Sequence, residues 1–467
     1  MAEYPSKGSV TTAATPTSFD RSIGVPGATF AIVGFVVGGS ILVLPGELAS
    51  HAGPAVILAY LAASIMILFV CLMSVQMSNV FPITGAGYVS ISRVLSPFMG
   101  FLVLWMSIPL VGLGLSPLLF GISDYAAAVF PSLEDRRQEI AWASLLAIYL
   151  LNLAGVKTTI RVQTIMVAAF MVVLILFGGF ALVHVEPSNY QPFAPNGGTA
   201  VAAATVAAFY SYTGFSMITS LGGEIKQPRR NIPLAMGISY FIVLLMYLLI
   251  TFAVTGVMAW DNPEIQRAPV IKISQMIMPE FFIAVVSFAA LLAIFTSINA
   301  GLLAASRELF RLAKARVLPK PFDYISEKNH EPVGAITLLT LLIAASLSLD
   351  FSFSKYATLA VVLAMLPQIL TAISVMAIPY RVPDLYDKAE IRLPVITNLI
   401  VGLIVIALSC GMIFVGIESS GVPWFVFLSY ISFGGICYGL RYLYLRRIGI
   451  NIKELLLVDT AELEEVS

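Results

Sequence analysis

The stretch Gly34-Phe35-Val36-Val37-Gly38-Gly39-Ser40-Ile41-Leu42 puts three consecutive small residues in the middle of an apolar run that extends over residues 28–49. A second apolar run, 199–221, carries Phe209-Tyr210-Ser211-Tyr212-Thr213-Gly214-Phe215-Ser216 at its centre. A helix interrupted at membrane depth exposes N–H and C=O groups that lipid cannot satisfy. It persists only where it is buried in protein or lines a cavity. Paired interruptions at corresponding places in two halves of a chain point to a binding site near the bilayer midplane, and so to a transporter.

The composition around these stretches agrees. The chain has 467 residues, 59% hydrophobic and 11% charged, with a mean hydropathy of +0.93. A soluble domain carries about 25% charged residues, so most of this surface is expected to face lipid. Formal net charge is zero, which gives no reason to expect a nucleic-acid partner. Cys71, Cys410 and Cys437 all lie within apolar runs and read as small hydrophobes, with no redox or metal role. Residues 1–27, rich in Ser, Thr, Ala and Pro, lack the basic start and apolar core of a signal peptide and read as a tail.

Apolar runs predict twelve membrane helices: 28–50, 54–78, 98–130, 139–154, 160–185, 199–221, 233–259, 280–304, 334–349, 356–379, 394–417 and 422–446. With an even number, both termini lie on one side. Lysine and arginine number 21 on that side and five on the other (Arg136, Arg137, Arg267, Lys272 and Lys355), which predicts cytoplasmic termini. The interrupted runs are the first and the sixth, so two groups of five open alike but enter from opposite sides. The expected fold is therefore an all-α membrane protein with a five-plus-five inverted repeat. Repeat one spans 28–185 and repeat two 199–380; two further helices occupy 394–446, and 447–467 forms a second cytoplasmic tail.

The breaks themselves suggest a ligand. The half-helix after a break begins with unpaired N–H groups and the one before it ends with unpaired C=O groups. The first set is partially positive and the second partially negative. Amides of Gly39, Ser40 and Ile41, beside Gly38, would meet a carboxylate. Carbonyls of Val36, Val37, Phe209, Tyr210 and Thr213 would meet an ammonium, and Tyr210, Tyr212 and Phe215, around Gly214, would sort side chains. Neither break contains Asp, Glu, Lys, Arg or His, so a zwitterion suits both without a buried charged side chain. The alternative is that Gly38-Gly39-Ser40 is only a close-packing patch between helices and the aromatics only core.

At these residues the chain resembles the amino acid–polyamine–organocation superfamily. The residues from Gly34 to Leu42 are similar to its first-span pattern, with Ser40 where a last glycine is usual. Tyr212-Thr-Gly-Phe-Ser216 and Glu224-Ile-Lys-Gln-Pro228-Arg-Arg-Asn-Ile-Pro233 are similar to its sixth-span pattern. Phe81-Pro82-x-x-Gly85-Ala-Gly87-Tyr88, Leu151-Asn152-x-x-Gly155-Val-Lys157, Ala305-Ser306-Arg307 and Val317-Leu318-Pro319-Lys320 are further matches in the same order. The resemblance implies amino acid or amine transport by alternating access, with broken first and sixth helices. Ser216 stands where many members have Glu, so proton coupling through that carboxylate is not available. Light chains in this superfamily pair with a heavy chain through a cysteine between spans three and four. Residues 130–139 contain none, so no disulfide-linked partner is expected.

Ion coupling stays open. Phe170 stands where some proton-coupled members carry a lysine. Thr296 and Ser297, one turn beyond Ala293, resemble the hydroxyl pair that holds sodium in related transporters, together with carbonyls of Gly34 and Val37. These hydroxyls equally suit bonds back to their own helix, which leaves an exchanger without ion coupling. A non-transporting sensor on the same scaffold is another alternative; it would normally add a cytoplasmic domain, whereas the two expected tails are short. Glu47, His51 and Asp124 near the ends of spans read as solvated groups or, for Glu47 and His51, as proton sites. Glu224 with Arg229, Arg230 and Arg307 reads as a loop or a gate. Asn152, Gln163 and Asn299 read as helix-to-helix hydrogen-bond partners, and Met106, Ser107 and Ile108 as pocket lining. An enzyme is not expected, because His51, His184 and His330 are scattered and no set of catalytic residues lies within the runs. A channel is not expected either, for want of a filter loop or charged ring. The predicted protein is a plasma (inner) membrane carrier of a neutral amino acid.

Overall fold

The computed structural model describes residues 23–81, 86–154, 160–215, 225–314, 324, 326 and 331–447. Among these the protein is helical throughout, apart from one isolated parallel bridge between Ile23 and Ile225. The first predicted span is two helices, α1 (Val25–Val36) and α2 (Ser40–Ala52), separated at residues 37–39. A single 3-10 turn, Gly53–Ala55, leads into α3 (Val56–Val80). Then come α4 (Ala86–Val94), α5 (Pro97–Val129), α6 (Arg137–Leu153), α7 (Ile160–Val183) and α8 (Gly197–Tyr210). The second half holds α9 (Pro228–Val257), α10 (Pro269–Ile277), α11 (Glu280–Lys314), α12 (Val333–Leu347) and α13 (Phe353–Arg381). It closes with α14 (Pro383–Asp387), α15 (Val395–Ser420) and α16 (Trp424–Arg447).

Among the described residues, seven helical segments are long and apolar enough to cross a membrane: Ser40–Val80, Pro97–Val129, Thr164–Val183, Pro228–Val257, Glu280–Phe310, Phe353–Arg381 and Val395–Ser420. Their outer faces are apolar in the helical rhythm expected of lipid contact. On α3 the exposed stripe is Leu58, Leu61, Ile65 and Leu68, three to four residues apart. The interior helices differ. Every residue of α2 from Ser40 to Ala49 is buried, as befits a helix that is apolar all round.

Two polar devices fix the packing. Ser96 and Ser352 cap α5 and α13, accepting from the amides of Met99 and Lys355 at 3.3 Å each. Asn152 on α6 donates to Asn299 on α11 at 2.8 Å, the helix-to-helix bond expected of that pair. The last helix is fastened by an aromatic seam. Trp105 of α5 stacks on Tyr430 of α16 at 5.2 Å, its Nε1 donates to the Tyr430 carbonyl at 3.0 Å, and the Tyr430 hydroxyl donates to the Trp105 carbonyl at 2.7 Å. Cys71 is buried, Cys437 half-buried and Cys410 exposed, and all three thiols are free.

Candidate functional site

Helix α1 ends at Val36 because Gly38 and Gly39 offer no side chain to hold the next turn, and glycine loses most entropy in a helix. Helix α2 restarts with Gly39 as its N-cap and no side-chain cap. Its first-turn amides therefore lack partners within their own helix, although the amide of Leu42 reaches the Gly39 carbonyl at 3.2 Å. Helix α8 ends at Tyr210 and tightens into a 3-10-like turn through Phe215. Here the Phe209 carbonyl accepts the Tyr212 amide at 2.9 Å, and the Tyr210 carbonyl accepts the Thr213 hydroxyl at 2.8 Å.

The two breaks meet around one small cavity. Its lining comprises Phe35, Val36, Gly38, Gly39, Ser40, Leu118, Tyr210, Ser211, Thr213, Gly214 and Ser297. None of these side chains is charged. Val36, Gly38, Gly39, Ser40, Tyr210, Thr213 and Gly214 of the expected set thus share one wall. Val37, Ile41, Phe209, Tyr212 and Phe215 are buried without lining it.

Glycine is required here by close approach. A Cβ on Gly38 would lie 2.2 Å from the Ser297 Oγ, and one on Gly39 2.8 Å from Leu118 Cδ2 and 2.9 Å from Ile294 Cγ1. A Cβ on Gly34 would meet Val167 Cγ2 at 2.5 Å, so that glycine lets α1 pack against α7. The hydroxyls of Thr296 and Ser297 donate to the Ala293 carbonyl at 3.0 and 2.8 Å. Only Ser297 of the pair lines the cavity.

Two tyrosines form a second layer that the sequence reading missed. Tyr247 on α9 is fully buried, and its hydroxyl lies 2.9 Å from the Ser40 Oγ, 3.1 Å from the Val36 carbonyl and 3.3 Å from the Ser211 carbonyl. Tyr60 on α3 stacks on it at 5.1 Å with rings 15° apart, and Tyr212 lies 5.2 Å away at a tilt. The signal was available: tyrosine in membrane helices favours the interface, and one buried in mid-span needs a partner for its hydroxyl. Tyr125 of α5 similarly donates to the Leu42 carbonyl at 3.0 Å, while Tyr210 donates to the Gly114 carbonyl of the same helix.

Other expectations land elsewhere. The third-span lining is Leu118; Met106 is buried away from the cavity, and Ser107 donates to Val103 of its own helix at 2.9 Å. Glu47 is not solvated but buried, accepting the Ser354 amide at 2.9 Å and hydroxyl at 2.7 Å at the start of α13. Asp124 is likewise buried and pairs with Arg137 through bonds of 2.7 and 3.2 Å. Arg137 also lies 3.6 Å from Asp350 and over the Phe120 ring at 4.4 Å. His51 is exposed. Ser216, Glu224 and the side chain of Gln163 lie outside the described residues, as do Pro82–Gly85, Gly155–Lys157 and Val317–Lys320 of the family-like motifs.

The sequence pattern of a family described as amino acid permease matches residues 23–436. Among curated proteins, the chain is 25% identical to the branched-chain amino acid permease BcaP of Bacillus subtilis, over 68% of this chain and 72% of that one. It is 26% identical to the methylthioribose transporter of the same organism, over 92% and 94%. It is also 27% identical to the vacuolar cationic amino acid transporter 8 of Arabidopsis thaliana, over 76% of this chain and 62% of the relative. All three are named as permeases or transporters, in keeping with a transport protein and not an enzyme. With a match that takes in both interrupted helices and nearly every described residue, the chain belongs to the amino acid permease family.

Proposed function

We propose that the protein is a secondary active transporter that carries a neutral amino acid across the plasma membrane by alternating access. The observation that carries this reading is the convergence of two helix interruptions on one uncharged cavity. In that cavity, amides of Gly39 and Ser40 bind the carboxylate, and carbonyls of Val36 and Thr213 bind the ammonium. A cationic side chain would find no carboxylate in the lining, which favours a neutral substrate over a basic one. Leu118 and Tyr210 of the lining supply the apolar contacts for its side chain.

Twelve spans complete the proposed architecture, with helices α1, α6, α8, α12 and α16 joining the long apolar ones. The five-plus-five inverted repeat relates 28–185 to 199–380. The distribution of lysine and arginine supports cytoplasmic termini. A sodium ion between the hydroxyls of Thr296 and Ser297 and carbonyls of Gly34, Val37 and Ala293 is the proposed coupling ion. A hydroxyl that donates to its own helix still offers lone pairs to a cation. Transport without an ion is the second reading, in which both hydroxyls serve only their own helix.

Uptake of a radiolabelled amino acid mixture into proteoliposomes tests this. Saturable uptake of a neutral amino acid is expected, stimulated by inward sodium and losing that stimulation in Thr296→Ala plus Ser297→Ala. Uptake that ignores sodium establishes the second reading, and absence of both binding and uptake sinks the transporter.

A further inference from the structure

We infer that the Tyr247 hydroxyl holds the two helix breaks together when no substrate is bound, and so lets the empty carrier change sides. The inference rests on the transport reading above and deepens it. Tyr247 does not line the cavity. Its oxygen nevertheless touches both breaks: the last carbonyl of α1 (Val36), the first side chain of α2 (Ser40), and the Ser211 carbonyl just past α8.

The proton count assigns the bonds. A phenol has one proton to donate. It goes to the Val36 or the Ser211 carbonyl, while the Ser40 hydroxyl donates to the phenol oxygen. Both carbonyls sit at the negative ends of stopped helices, and a buried acceptor left without a donor is costly. In the substrate-free protein the phenol supplies that donor, in the place that the substrate ammonium takes when it arrives. The charge-assisted bond from an ammonium is the stronger, so substrate takes over Val36 and the phenol proton turns to Ser211.

The ring is positioned for this duty. Tyr60 stacks on one side and Tyr212 leans on another, with the Tyr212 hydroxyl donating to the Tyr60 carbonyl at 3.3 Å. The empty protein therefore keeps a contact across both breaks, as the loaded one does. A carrier lacking any such contact returns only when loaded, and exchanges; a carrier with it moves substrate net.

The test measures efflux of a preloaded radiolabelled amino acid, leucine as first probe, from proteoliposomes. Efflux into substrate-free buffer is compared with efflux into buffer containing unlabelled leucine. The wild type is expected to show both modes. Tyr247→Phe keeps the ring stack and is expected to lower net efflux about tenfold relative to exchange. Ser40→Ala, which removes the donor to the phenol from a side chain that also lines the cavity, is expected to shift the same ratio less, and it serves if Tyr247→Phe cannot be purified folded. An unchanged ratio in the variant measured, or wild-type flux that occurs only as exchange, overturns the inference while leaving the transport reading intact. A wild type that neither binds nor moves any of the twenty amino acids sinks that reading, and the inference with it.

Discussion

Gly214 and Phe35 meet backbone to backbone: a Cβ on Gly214 would stand 2.8 Å from both the carbonyl carbon and the carbonyl oxygen of Phe35. The two helix breaks are thus in contact through main chain, and the cavity between them depends on the absence of one methyl group.

Gly214→Ala is therefore expected to force the breaks apart. The obstructing atoms are backbone, so no rotamer change relieves them, and overpacking of this kind costs about 1–3 kcal/mol. Substrate affinity measured by scintillation proximity is expected to fall about tenfold or more, while the purified protein stays monodisperse. Wild-type affinity in this variant would show that the breaks do not form the binding wall.

Gly38→Ala meets a softer obstacle, the hydroxyl oxygen of Ser297. The single variant is expected to lose uptake, and Gly38→Ala plus Ser297→Ala to recover part of it, because only the Ser297 Cβ at 3.1 Å then remains. The coupling is read from uptake rates of the two single variants and the double. Strict additivity would mean that the two positions do not touch during transport.

Both breaks were legible because glycine and serine inside an apolar run are visible one residue at a time. For the same reason, hydropathy marked the seven long apolar helices found among the described residues. What eluded the sequence are contacts set by how helices cross. Ser40 and Tyr247 are 207 positions apart, and nothing in a lone tyrosine names its partner. On the third span the lining residue is Leu118, not Ser107. Eleven residues of helix are about 16 Å, a shift fixed only by the angle at which α5 passes the breaks. Glu47 and Asp124 read as solvated because they lie near span ends, yet the start of α13 and Arg137 cover them.

Glu47 serves as a carboxylate cap for α13. Glu47→Ala leaves the half-buried Ser354 amide without its acceptor and the Ser354 hydroxyl with only the Ser352 hydroxyl at 3.1 Å, and a loss of about 1–2 kcal/mol is expected. Glu47→Gln keeps one acceptor oxygen and is expected to lose about half as much or less. Thermal unfolding in detergent ranks the two, and equal stability of all three proteins would remove the capping role.

Asp124→Asn removes the charge opposite Arg137 and one of its two acceptor oxygens, leaving one bond to the amide oxygen and the exposed Asp350 at 3.6 Å. Because Arg137 is 27% exposed, the loss should fall below the ~3–5 kcal/mol of a fully buried pair, near ~1–2 kcal/mol. Asp124→Asn plus Arg137→Gln is expected to be more stable than Asp124→Asn alone, as measured by the same unfolding assay.

The reciprocal bonds between Trp105 and Tyr430 make α16 a passenger of α5, the helix that brings Leu118 to the cavity. Cys437 lies two turns along α16 from that seam. A fluorophore on this native thiol, with Cys410 replaced, would report by its distance to a second label whether α5 moves when an amino acid is added, without a cysteine being introduced anywhere near the cavity.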